Sequence, residues 1–149
     1  MPAVAGQFYE IDSELLKKRI ESCFLHPVGP GKIPPIHDDK FGHIFGIISP
    51  HAGYMYSGPV AAHGYYNCSS HEVDLVVIIG PNHHGLGSGI ATLNGGIWNS
   101  PLGNVEIDGE AARLLSKESI LVDFSEEAHR LEHSIEVQVP FLQYCLKNE

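Results

Sequence analysis

The sequence predicts an α/β fold, an open and mostly parallel sheet flanked by helices, and three observations predict it. Two short runs rich in β-branched and aromatic residues, 41–49 and 73–79, have the look of buried strands. A helix-length segment separates them, which makes them parallel neighbours rather than a hairpin. Amphipathic helical segments precede and follow the pair, the pattern of a mixed α/β domain.

Each element has its own local cause. Over 13–24, Asp12 or Ser13 can cap, and Leu15, Leu16, Ile20, Cys23 and Phe24 form a helical stripe that His26-Pro27 ends. Four prolines and two glycines make 27–35 an extended loop, continued in polar form by His37-Asp38-Asp39-Lys40. The run 41–49 reads as the first strand and Pro50 stops it. Ser57-Gly58-Pro59 reads as a cap with proline in the first turn of a helix reaching about Tyr66. The second strand, 73–79, contains the continuous run Leu75 to Ile79 and breaks at Gly80-Pro81-Asn82-His83-His84-Gly85. A shorter strand at 90–93 leads into the turn signal Asn94-Gly95-Gly96, and 105–107 alternates like an edge strand. Asp108 caps a helix to about Lys117, and a strand follows over 120–124. The last helix is expected to start near Glu132, to carry Ile135, Val139, Leu142 and Leu146 on one stripe, and to kink at Pro140.

The chain has 149 residues, 18 acidic against 9 basic, for a formal charge of −9. That length suits one domain, 1–149, which can bury ~68–70% of its unfolded surface without disulfides. Lys17, Lys18 and Arg19 are the largest basic cluster, so neither nucleic acid nor an anionic membrane is an expected partner. Apolar runs of five residues are far below the ~20 that cross a bilayer, and Met1-Pro2-Ala3 opens the chain without a basic leader. Three cysteines, Cys23, Cys68 and Cys145, contain no CxxC pair, which fits a reducing cytoplasm better than a disulfide framework.

Ten histidines are the unusual count. His51 lies two residues past the first predicted strand, and His83 and His84 lie four and five past the second. In open α/β sheets ligands collect at this carboxyl edge. Neutral imidazoles so placed suit Zn, Fe, Cu or Ni, and His51 with His83 form the candidate metal pair. Glu132-His133-Ser134-Ile135-Glu136 is a third cluster: the two glutamates share a helix face, and His133 beside them is the candidate acid/base. No Gly-x-Ser-x-Gly elbow marks a serine hydrolase, and Gly85-Leu86-Gly87-Ser88-Gly89 lacks the ending of a phosphate loop.

Taken together, Ile48-Ser49-Pro50-His51-Ala52-Gly53-Tyr54, Tyr56-Ser57-Gly58, Ala61-Ala62-His63, Gly80-Pro81-Asn82-His83-His84, Ser100-Pro101-Leu102-Gly103, Glu132 to Glu136, Val139-Pro140-Phe141 and the opening Ala5-Gly6-Gln7-Phe8-Tyr9 resemble the Memo family over essentially the whole chain. The resemblance implies a fold like that of class III extradiol dioxygenases, in which non-haem iron opens catechol rings. It also implies metal ligation by His51 and His83, with Tyr54, His84, Glu132, His133 and Glu136 around the pocket. Members of that family run to roughly twice this length, and their third ligand, a cysteine, lies in the other half. Cys145, on the last predicted helix, does not match it.

The final predicted helix needs a sheet to cover its apolar stripe, so the chain is expected to behave as the N-terminal part of a longer α/β domain, completed by the missing half or by a second copy. Two classes of function stay open at this point. One is a metal-dependent, dioxygenase-like oxidoreductase using iron or copper, with zinc the third choice. The other is a non-catalytic module that binds a small molecule, peptide or phosphorylated motif in the same crevice.

Overall fold

Asp12 starts the first helix as expected. Its carboxylate accepts from the backbone N–H groups of Glu14 and Leu15 and opens α1, Ser13–Leu25. The computed structural model describes residues 2–34, 44–69 and 73–146. The second helix, α2, runs Tyr54–Cys68 and begins three residues before the expected cap. Gly53 is its N-cap, and the first free N–H, that of Tyr54, donates to the carbonyl of Phe8 at 2.8 Å. A contact with the chain's own beginning therefore takes the role expected of a Ser57 cap. Ser57 instead donates to Ala52 O, and Pro59 lies inside the helix.

The sheet departs most from expectation. The run 41–49 lies partly outside the described residues. Its described part, 44–49, joins no ladder, and neither does 73–79. They are not paired parallel neighbours here. A strand buried on both faces needs cover on both, and most of these side chains lack it: Phe45 and Ile48 are fully exposed, and Ile79 is 92% exposed. Ile47 is half-covered, packed against α2 where Gly64 leaves room.

The ladders that do form involve later residues. β1, Ala91–Thr92, pairs in parallel with β4, Asp123–Phe124, within the two short strands expected at 90–93 and 120–124. β2, Gly96–Ser100, and β3, Gly103–Ile107, make an antiparallel hairpin with Trp98 opposite Val105. The hairpin turns at Pro101-Leu102, with Gly103 at φ 123°, while the Asn94-Gly95-Gly96 signal follows β1 as expected and leads into β2. Between β3 and β4, α3 spans Gly109–Glu118 behind the predicted Asp108 cap.

The last segment is not one kinked helix from Glu132. An irregular stretch over 132–135, turning at 134–135, leads to a 3₁₀ turn, Glu136–Gln138, and then to α4, Val139–Cys145, with Pro140 in its first turn. Proline is well placed there because its missing N–H has no partner to lose. Residues 136–141 are buried all round rather than along a stripe. The architecture is α/β, with a small parallel pair and helices.

The core lies among α1, α2 and α4. Leu16, Ile20, Cys23 and Phe24 of α1 meet Ala61, Ala62 and Tyr65 of α2 and Phe141 of α4. Phe141 stacks on Tyr65 at 4.9 Å and meets the edge of Phe24 at 5.8 Å. Three tyrosines then grip the 3₁₀ turn at consecutive residues. Tyr9 donates to the Glu136 carboxylate at 2.7 Å, Tyr54 to Val137 O at 2.7 Å, and Tyr65 to Gln138 Oε1 at 2.5 Å. Burial lifts all three phenols above their usual range, so they remain donors.

Candidate metal centre

Three imidazoles converge from three loops. His51, His83 and His133 each offer a ring nitrogen within 4.8 Å of the others. The rings of His51 and His83 are 5.1 Å apart and tilted by 56°, while His133 lies nearly parallel to His83 at 4.6 Å and 12°. A ligating nitrogen uses a lone pair in its ring plane. Tilted rings can therefore aim at one point, whereas parallel stacked rings aim past each other. His51 is also tilted to His133, by 52° at 5.9 Å, so the angle lets His51 pair with either ring, and the shorter separation favours His83. Bonds of ~2.0–2.1 Å to one ion place ligand atoms about 3.3 Å apart, so the pair fits a metal after a small inward movement.

The segment 132–138 holds the loops in place. Glu132, only 4% exposed, accepts from His83 N at 2.6 Å, His83 Nδ1 at 2.8 Å, His133 N at 2.9 Å and Ser134 N at 2.8 Å. Burial alone would raise this carboxyl; the donors from Ser134 and His83 outweigh it and hold Glu132 at about 2, ionised. Ser134 donates its hydroxyl to Pro81 O at 3.0 Å. The approach is so close that a Cβ on Gly80 would collide with Ser134 Oγ. On the other side Gln138 donates through Nε2 to Pro50 O at 3.1 Å, beside His51. The two histidine loops are thus brought together by this segment and not by neighbouring strands.

A crevice of about 600 Å³ opens beside the imidazoles, lined by Gln7, Phe8, Pro50, His51, Ala52, Gly53, Tyr56 and His133. Phe8 packs on the His133 ring at 4.7 Å. Burial depresses the His133 imidazole; Glu132 pulls it up, and His83, His51 and His84 push it down, for a net value below the ordinary range. His84 is exposed beside the group. Of the residues expected around the pocket only His133 lines this crevice; Tyr54, His84, Glu132 and Glu136 do not, and neither does His83. Tyr54 is buried in the core, and Glu136 faces away toward the N-terminal segment, taking Ala3 N at 2.7 Å and Val4 N at 2.9 Å. Glu132 is present but faces His83. Reading by motif passes over Gln7 and Phe8 as wall residues, and Ser134 and Gln138 as anchors, although all four except Gln138 stand in the stretches that carry the family resemblance. Cys23 lies in the helical core and Cys145 packs against it; burial raises the Cys23 thiol to about 11 and that of Cys145 to about 12.

Fold and site together define an α/β protein with a histidine cluster at the edge of an apolar crevice. The comparisons give that class its family. The model of the Memo-like protein family matches residues 1–149, and the chain belongs to that family. A MEMO1 family protein of Sulfurisphaera tokodaii is 57% identical over 147 residues, which is 97% of this chain and 51% of the relative. Others from Methanothermobacter thermautotrophicus and Methanopyrus kandleri are 52% and 54% identical, covering 99% and 96% of this chain and 53% and 50% of their own lengths. The chain spans about half the length of the curated relatives it matches. Among the described residues no helix is long and apolar enough to cross a membrane.

Proposed function

We propose that this chain carries a metal centre held by His51 and His83 and serves a metal-dependent oxidoreductase, with His133 as the acid/base. The observation that carries the reading is the convergence of three imidazoles, from loops far apart in sequence, at the mouth of an apolar crevice. An all-imidazole set of borderline donors accepts iron, copper or zinc. A bound iron or copper would supply one-electron redox chemistry, and zinc only Lewis acidity. The residues of this chain do the rest. Phe8, Pro50 and Ala52 keep the approach apolar, and His133 sits where it can take or give a proton to a molecule held in the crevice.

The test is metal stoichiometry. His51→Ala and His83→Ala should each abolish stoichiometric binding of Fe(II), Cu(II) or Zn(II), with the double variant no worse than either single one. Full-affinity binding by both single variants would overturn the centre. O₂ uptake with catechols on the iron-loaded protein separates an oxidoreductase from a binding module that uses the same crevice. The binding reading draws support from Tyr56, largely exposed at the crevice wall. The absence of Lys and Arg among the described residues that line it disfavours a phosphorylated ligand.

A further inference from the structure

Glu132 has the wrong surroundings for a ligand and the right ones for something else. Its Oε1 already accepts from His83 Nδ1, His133 N and Ser134 N, and its Oε2 from His83 N. Turning the carboxylate toward an ion would strand three backbone amides, each at a cost of ~1–3 kcal/mol. Both oxygens face backbone N–H groups, which makes the group an acceptor on each side, so the His83 nitrogen facing Oε1 must carry the hydrogen. In a neutral imidazole that leaves Nε2 with the free lone pair.

We propose that Glu132 is the positioning residue of the centre. It fixes His83 as the Nδ1–H tautomer with Nε2 as the ligating atom. Through the amides of His83, His133 and Ser134 it also locks two imidazole-bearing turns, 49 to 51 residues apart in sequence, into one unit before any metal arrives. The ligand half of this proposal rests on the metal reading above; the tautomer half does not. The same geometry explains why an amide would not serve. A glutamine in place of Glu132 would have one acceptor oxygen for four donors, and its NH₂ would face either His83 N–H or the three donors clustered on Oε1.

The experiment uses the metal-free, ¹⁵N-labelled protein and its long-range imidazole spectra. In the unaltered chain His83 should show a protonated Nδ1 and an unprotonated Nε2. Glu132→Ala, which removes the acceptor, should shift it toward the Nε2–H form, whereas His51→Ala should leave it unchanged. Zn(II) alone, titrated into the Glu132→Gln variant, should bind ~10–100-fold more weakly, the range seen when such supporting partners are removed. A His83 already in the Nε2–H form, a folded Glu132→Ala variant with unaltered tautomer, or a folded Glu132→Gln variant with unaltered Zn(II) affinity overturns the proposal. If neither variant folds, the spectrum of the unaltered chain still decides. Failure of the metal reading shows separately, as no Zn(II) binding by a chain whose His83 has the expected tautomer.

Discussion

Glu136 shows how far a single side chain can depart from what its motif suggests. It shares the Glu-His-Ser-Ile-Glu stretch with Glu132, yet it serves the other end of the chain: Ala3 N, Val4 N and Tyr9 OH all donate to it. A glutamine here keeps one acceptor and turns two donors toward its buried partners. Glu136→Gln should therefore cost ~1.5–3 kcal/mol, the range for hydrogen bonds to a charged group. The measurements are the urea midpoint and the amide exchange of Ala3 and Val4, which should quicken. An unchanged midpoint with unchanged exchange would remove the clamp from the account. The identity of the clustered imidazoles is legible in the sequence because turns after apolar runs collect ligands. The division of labour between the glutamates is not. Spacing places both on one helix face, but residues 132–135 are not helical, and only the partners distinguish a carboxylate that holds His83 from one that holds the N-terminus.

At the scale of elements, the packing of α1 on α2 depends on a residue with no side chain. A Cβ on Gly58 would lie 2.5 Å from Cys23 Sγ, closer than any real contact. Gly58→Ala gains up to ~1 kcal/mol of helix propensity but overpacks a tight interface, which typically costs ~1–3 kcal/mol. The expected outcome is a net loss of about 1–2 kcal/mol in denaturant unfolding, largely recovered when Cys23→Ala is added. Equal losses in the presence and absence of Cys23→Ala would show that the contact is not the cause. The helices are the readable part of this fold, since the Asp12 and Asp108 caps and the stripe of α1 are local. The hairpin escapes a local reading because its turn, Pro101-Leu102, gives a weaker signal than the Gly pair ahead of it. The start of α2 escapes it because Phe8 O, 46 residues away, supplies the partner that local reading assigns to Ser57.

The whole molecule turns on the two runs that join no ladder. Phe45, Ile48, Val77 and Ile79 are largely or fully exposed, with Leu75 and Val76 about half so. Burying side chains of this kind is worth ~1.5–3 kcal/mol each, and unpaired apolar runs of this length present both a sticky face and free backbone groups. This chain should therefore self-associate on its own, with an apparent mass that rises with concentration in light scattering. The counterpart to test is the part of the Sulfurisphaera tokodaii relative outside the matched region, since that relative is 57% identical here and only 51% of it is covered. Co-expressed as a second chain, it should yield a discrete one-to-one species, quench the association and, on the proposed two-imidazole centre, tighten metal binding by supplying a third ligand. A monodisperse monomer that melts cooperatively and binds one metal tightly without it would refute this expectation. It would then place the third ligand within these 149 residues, and His133, already within reach of His51 and His83, would be the residue to replace next.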